Sequence, residues 1–184
     1  PGKTINRWSP TAGHRKWATE EMPACIAATT TPGQWIAGME SGVFSLQLQD
    51  DGKAAATRLA EVAHAAPAMR FNDGRCDRAG RFVCGSLVMG RNEPLAALYQ
   101  VDARGRVQQL DQGFAISNAI CFSPDGQWLY YTDSRTRKIL RYPYDSASGA
   151  AGAPTVWVDT AQLNSAADGA TVDSEGGLWT ALVE

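Results

Sequence analysis

Four glycines set the frame of this chain. Gly33, Gly80, Gly126 and Gly176 lie 47, 46 and 50 residues apart, and each is followed by an apolar, aromatic-bearing run such as Phe82-Val83-Cys84 or Trp128-Leu129-Tyr130. A period in this range marks a repeat architecture. Repeats of this length built from short strands and tight turns point to an all-β fold, the β-propeller, with one repeat per blade. Equivalent positions of successive blades lie on one ring about the axis. Residues far apart in sequence can therefore converge.

One position of the repeat carries a polar series. Counting back eight residues from the turn glycine gives Asn72 in RFNDGRCDRAG, Asn118 in SNAICFSPDG and Asp168 in DGATVDSEG. The same count from Gly33 reaches Cys25, which breaks the series. Taken singly, Asn72-Asp73-Gly74 and Asp168-Gly169 are strong turn sequences. The shared phase, with a separate hairpin turn after each, favours a ring of oxygen-bearing side chains. Asp73 and Asp77 read as turn and strand-capping residues, and Asp125, Asp133 and Asp173 as hairpin chemistry. The tryptophans Trp8, Trp17, Trp35, Trp128, Trp157 and Trp179 read as blade packing.

Alternation and turn signals place the strands. Ile5 to Trp8 and His14 to Thr19 match the last two strands of a blade. Three whole blades follow, with innermost strands starting at Cys25, Asn72 and Ala119, and Gly169 to Asp173 with Leu178 to Val183 opens a further one. The count is 16 strands over residues 1–184, a single domain of about four blade equivalents with a half-blade at each end. Open ends leave strand edges unpaired, so the expectation is a domain incomplete at both ends. The alternative is that the two half-blades pair and close a four-bladed ring.

A net charge of -2, with no basic patch or acidic tail, speaks against nucleic acid or a membrane surface as partner. No run approaches the roughly 18 apolar residues of a membrane span. Cys25, Cys76, Cys84 and Cys121 show no C-x-x-C spacing and sit in strand-like runs, which reads as buried free thiols and a reducing, cytoplasmic compartment. His14 and His64 lie in polar connections away from the repeated position and carry no expected metal or catalytic role.

The segments RFNDGRCDRAGRFVCGSL, GFAISNAICFSPDGQWLYYTDS and DGATVDSEGGLWTAL resemble, in that order, the regucalcin, gluconolactonase and luciferin-regenerating-enzyme family. INRWSPTAG and GQWIAGMESGVFSL fit it as well. The resemblance implies a six-bladed propeller with one divalent cation at the mouth of its central channel and hydrolysis of a small-molecule sugar lactone. It implies Asn118 and Asp168 as metal ligands, Asp168 also as the catalytic base, and Arg70 and Asn72 as substrate-binding residues. A further family ligand, a glutamate in the first strand of the first blade, is expected upstream of Pro1. Two departures stand out: Ala119 replaces the usual glycine after Asn118, and Cys84-Gly85-Ser86 replaces small-Gly-Thr.

An amide oxygen and a carboxylate suit a hard cation such as Ca²⁺, Mg²⁺ or Mn²⁺, with Zn²⁺ also in range. No G-x-S-x-G elbow occurs, so nucleophilic serine chemistry is not expected. The other function class is a non-catalytic propeller that binds calcium or another ligand, because fold does not fix function. With one carboxylate and one amide, residues 1–184 by themselves are expected neither to bind the cation tightly nor to turn over lactones.

Overall fold

A computed structural model describes residues 2–183. The first hairpin pairs β1 (Thr4–Ser9) with β2 (Gly13–Ala18). A four-stranded antiparallel sheet follows, formed in chain order by β3 (Cys25–Ala28), β4 (Gln34–Gly38), β5 (Gly42–Leu48) and β6 (Ala54–Glu61). The next sheet has the same order: β7 (Met69–Cys76), β8 (Phe82–Val88), β9 (Ala96–Val101) and β10 (Val107–Phe114). In the third, β11 (Ser117–Phe122), β12 (Trp128–Asp133) and β13 (Lys138–Asp145) are joined by the two-residue β14 (Ala150–Ala151) and by β15 (Thr155–Asp159). After a short 3₁₀ turn at Ala161–Leu163, β16 (Ala166–Val172) pairs with β17 (Leu178–Val183).

The repeat of the sequence is the repeat of the structure. Gly33, Gly80, Gly126 and Gly176 have φ of 77°, 83°, 70° and 89° and close the first hairpin of four successive sheets. Glycine reaches this left-handed region without steric cost. The turns are capped from their first residue: Asp77 Oδ1 accepts from the N–H groups of Ala79 and Arg81, and Asp173 Oδ1 accepts from those of Glu175 and Gly177. Innermost strands of neighbouring sheets lie side by side, β3 on β7, β7 on β11 and β11 on β16.

The core lies between blades. Phe71, Phe82, Cys84, Tyr99 and Val101 of the second full sheet meet Cys25, Val43 and Ala60 of the first. On its other face Met69, Val83 and Leu98 meet Phe122, Leu129, Tyr131 and Tyr142. Covering both faces explains why β9 and β11 are buried along their whole length. Each fully buried large side chain contributes about 1.5–3 kcal/mol. Two tryptophans depart from the packing role: Trp8 and Trp179 are 70 % and 67 % exposed. Trp17 is buried, Trp157 stacks on Tyr130, and Trp128 lies under the Arg141 guanidinium. No helix of the described residues is long and apolar enough to cross a membrane.

The strands begin earlier than their apolar patterns suggest. β7 starts at Met69, β11 at Ser117 and β16 at Ala166, each before the polar residue that interrupts the pattern. A bulge accounts for this, because it admits a polar residue and re-aims its side chain without ending the ladder.

Candidate active site at the start of the innermost strands

Asn72, Asn118 and Asp168 stand at corresponding bulges. The pairing of each innermost strand with its neighbour slips between Phe71 and Asp73, between Asn118 and Cys121, and between Ala167 and Ala170. A bulge re-aims a side chain. Next to Asn118, the buried Ala119 has φ 55°. A left-handed conformation costs a residue with a Cβ roughly 1–2 kcal/mol, so the departure from glycine falls where positive φ is required.

Hydrogen bonds connect three of these strands. Arg70 Nη1 donates to Phe71 O at 2.7 Å and to Asn72 Oδ1 at 3.3 Å. Asn72 Nδ2 donates to Asn118 Oδ1 at 3.0 Å and to Ser117 O at 2.9 Å. Asn118 Nδ2 donates to Ser134 Oγ at 3.0 Å, and Ser134 Oγ donates to Ala167 O at 2.7 Å. Arg70, Asn72 and Asn118 are thus in one bonded group. Asp168 adjoins it through the peptide that joins it to Ala167.

Asp73 is not a turn residue. It lies within β7 opposite Gly85, and its Oδ2 accepts from Ile120 N–H of the next blade at 2.8 Å while Oδ1 accepts from Gly74 N–H at 2.8 Å. Burial pushes its carboxyl above the usual range; those two N–H groups and the Arg75 charge pull it back, and the Asp168 charge adds to the rise. A raised acid pKa means that the folded state holds the proton more tightly than the unfolded one. Asp73 therefore detracts from stability above its folded pKa, and this cost disappears as pH falls through it. We expect Asp168→Asn to lower the Asp73 pKa by removing a like charge, read by ¹³C titration of the side-chain carboxyl; an unmoved midpoint would separate the two carboxylates.

The other polar groups have structural work. His64 Nε2 donates to Glu40 O at 3.0 Å, its ring stands edge-on to Phe71, and burial lowers its pKa. Cys25 holds the repeated position in the first full blade, but its thiol is packed against Gly38 and Gly74, and burial raises its pKa. All four cysteines are free. Among the described residues, no group of three or more His, Cys, Asp or Glu side chains is arranged to hold a metal ion. The oxygen donors at hand are Asn118 Oδ1, with one lone pair engaged by Asn72, and the half-exposed Asp168 carboxylate. This is a hard but partial set, and the negative charge of Asp73 and Asp168 favours a cation.

A cleft of about 410 Å³ opens beside Arg70, lined also by Leu87, Met89, Arg91, Asn92 and Ile116. Arg70 Nε is buried without a hydrogen-bond partner, and burial lowers the Arg70 pKa while the Glu40 charge opposes that shift. Sequence reasoning missed Asp73 and Ser134 as members of this region. Asp73 belongs to a turn-like tripeptide, and Ser134 to an ordinary hairpin; their partners lie 47 and 33 residues away.

Comparison with known proteins bears on the family and the fold. The family described as "SMP-30/Gluconolactonase/LRE-like region" matches residues 1–184. The 6-deoxy-6-sulfogluconolactonase of Pseudomonas putida is 36 % identical over 81 % of this chain and 50 % of its own length. The L-arabinolactonase of Azospirillum brasilense is 34 % identical over 90 % of this chain and 54 % of its own. The chain thus spans about half the length of these curated relatives. Among solved structures, a calcium-binding protein, regucalcin, from Agrobacterium tumefaciens superposes with a TM-score of 0.88 at 27 % identity, over 98 % of this chain and 60 % of that one. With the repeat, the bulged polar positions and a match along its whole length, the chain belongs to the SMP-30/gluconolactonase/LRE-like family.

Proposed function

We propose that the protein carrying this chain hydrolyses sugar lactones and that one divalent cation, Ca²⁺, Mg²⁺, Mn²⁺ or Zn²⁺, serves the reaction. The observation that carries this reading is the placement of an amide oxygen, Asn118 Oδ1, and the Asp168 carboxylate at corresponding bulges of adjacent innermost strands, with the charge of Asp73 close by. Asn118 and Asp168 would hold the ion. When bound, such an ion supplies Lewis-acid polarisation of an ester carbonyl and eases ionisation of water. The lactonase names of the two relatives support the substrate class.

In this reading the lactone is held where Arg70 and Asn72 approach Asn118 and Asp168, next to the cleft that Arg70 lines. Asp168 accepts the proton of the attacking water as its oxygen adds to the carbonyl carbon. Arg70 donates to the oxygen on which negative charge develops, where a fixed donor is worth more than in bulk water. Asn72, braced by Arg70 and by Ser117 O, orients the ring. As the ring C–O bond breaks, the leaving ring oxygen takes back the proton held by Asp168, which gives the open hydroxy acid.

The likeness to regucalcin, a calcium-binding protein, supports a second reading, cation binding without turnover. The two are separated by assaying the full-length protein against a panel of aldonolactones before and after chelation. Turnover that falls at least about tenfold with chelator and returns with added metal is the expected result. Turnover indifferent to chelator would overturn the cation, and absence of turnover on every lactone would overturn the hydrolase.

A further inference from the structure

Asn118 and Asp168 lie on neighbouring strands, and one hydroxyl links the Asn118 side chain to the carbonyl of Ala167, the residue before Asp168. Ser134, just past the end of β12 and 9 % exposed, accepts from Asn118 Nδ2 at 3.0 Å and donates to Ala167 O at 2.7 Å. The direction of these bonds is set at both ends. A guanidinium only donates and a peptide carbonyl only accepts. Since Arg70 Nη1 donates to Asn72 Oδ1, Asn72 must turn its NH₂ toward Asn118 Oδ1 and Ser117 O. At the other end Ala167 O takes the one proton of Ser134, so Ser134 offers only lone pairs to Asn118.

Both constraints give Asn118 the same orientation, oxygen toward Asn72 and NH₂ toward Ser134. The shape of the amide cannot decide this, because its two ends are nearly alike. We propose that Ser134 is a positioning residue: its hydroxyl fixes which end of the Asn118 amide faces Asn72 and ties that amide to the bulge that carries Asp168. Two oxygen donors from different blades are thereby presented together. For its consequence in catalysis this rests on the cation reading above, whereas the orientation itself does not.

A Ser134→Ala change leaves the hairpin with its own supports. Ser134 N–H donates to Ile116 O at 3.0 Å, and the N–H and hydroxyl of Thr136 both donate to Asp133 O. What is lost is the acceptor for Asn118 and the donor for Ala167. Partners that orient a ligand residue in this way typically contribute about 10–100-fold to metal affinity or activity.

The test compares wild type, Ser134→Ala and Ser134→Thr in the full-length protein. The Asn118 side-chain NH₂ is followed by ¹⁵N NMR for shift and hydrogen exchange, Mn²⁺ affinity by calorimetry, and lactone turnover as kcat and KM. We expect Ser134→Ala to speed exchange at the Asn118 amide and to weaken Mn²⁺ binding by about 10–100-fold. Ser134→Thr keeps the hydroxyl and should hold both near the wild-type values. An undisturbed Asn118 amide in Ser134→Ala overturns the assignment, as does turnover lost while that amide stays in place. If the alanine variant does not fold, a disturbed amide in folded Ser134→Thr overturns it instead. Wild-type protein that binds no Mn²⁺ would count against the cation, and the amide readout would still decide the role of Ser134.

Discussion

Replacing Asp168 by alanine in the full-length protein should lower kcat/KM for its lactone by about a thousandfold, within the range spanned by positioned proton acceptors. The same change should remove measurable cation binding, because Asp168 is the carboxylate of the proposed pair and Asn118 contributes only a neutral oxygen. Loss of folding would not account for it. Asp168 is half-exposed, and its charge pushes the half-buried Asp73 carboxyl further from ionisation, so its removal relieves a repulsion. The melting temperature should therefore hold or rise. Arg70→Ala is the contrast: it should reduce turnover by roughly a hundredfold while cation affinity stays within about threefold of wild type, since Arg70 touches Asn72 rather than Asn118 or Asp168. Calorimetry and steady-state kinetics on the two variants check both expectations. Wild-type turnover in Asp168→Ala would remove the residue from the chemistry.

The blade repeat was legible because it rests on local chemistry. A glycine at positive φ after a capped turn leaves the same signature wherever it occurs, and Gly33, Gly80, Gly126 and Gly176 left it four times. The polar position of the site was legible for a related reason, since Asn72, Asn118 and Asp168 each stand eight residues before such a glycine, at or beside a bulge. What could not be read was anything decided between blades. Asp73-Gly74 has the composition of a turn, and only the N–H of Ile120 in the next blade reveals the carboxylate as an inter-blade strut. Ser134 offers no local hint that its hydroxyl reaches Ala167. Cys25 breaks the polar series because its place in the first full blade is filled by packing against two glycines rather than by an open mouth.

The second large effect is expected from one methyl group. Gly85 lies in β8 opposite Asp73, and a Cβ there would fall 2.3 Å from Ser117 Cβ and 2.6 Å from Ser117 Oγ. Neither side can yield cheaply. Ser117 is fully buried, its hydroxyl is 2.9 Å from that of Tyr131, and Tyr131 is itself fully buried in the core between the two sheets. Moving β11 away would open that core, and cores forced to accept extra atoms lose typically 1–3 kcal/mol and occasionally more. With backbone-anchored atoms on both sides, we expect Gly85→Ala to sit at the upper end, about 3 kcal/mol, measured as a shift in the denaturation midpoint at unchanged slope. The damage should reach the site as well. Ser117 O accepts from Asn72 and the next residue is Asn118, so displacing Ser117 separates the two amides even where the protein stays folded. Adding Ser117→Gly to Gly85→Ala removes the colliding Cβ and should recover part of the stability, a non-additivity that two independent sites would not show. Stability of Gly85→Ala within about 0.5 kcal/mol of wild type would mean that the blades are not in contact at this point.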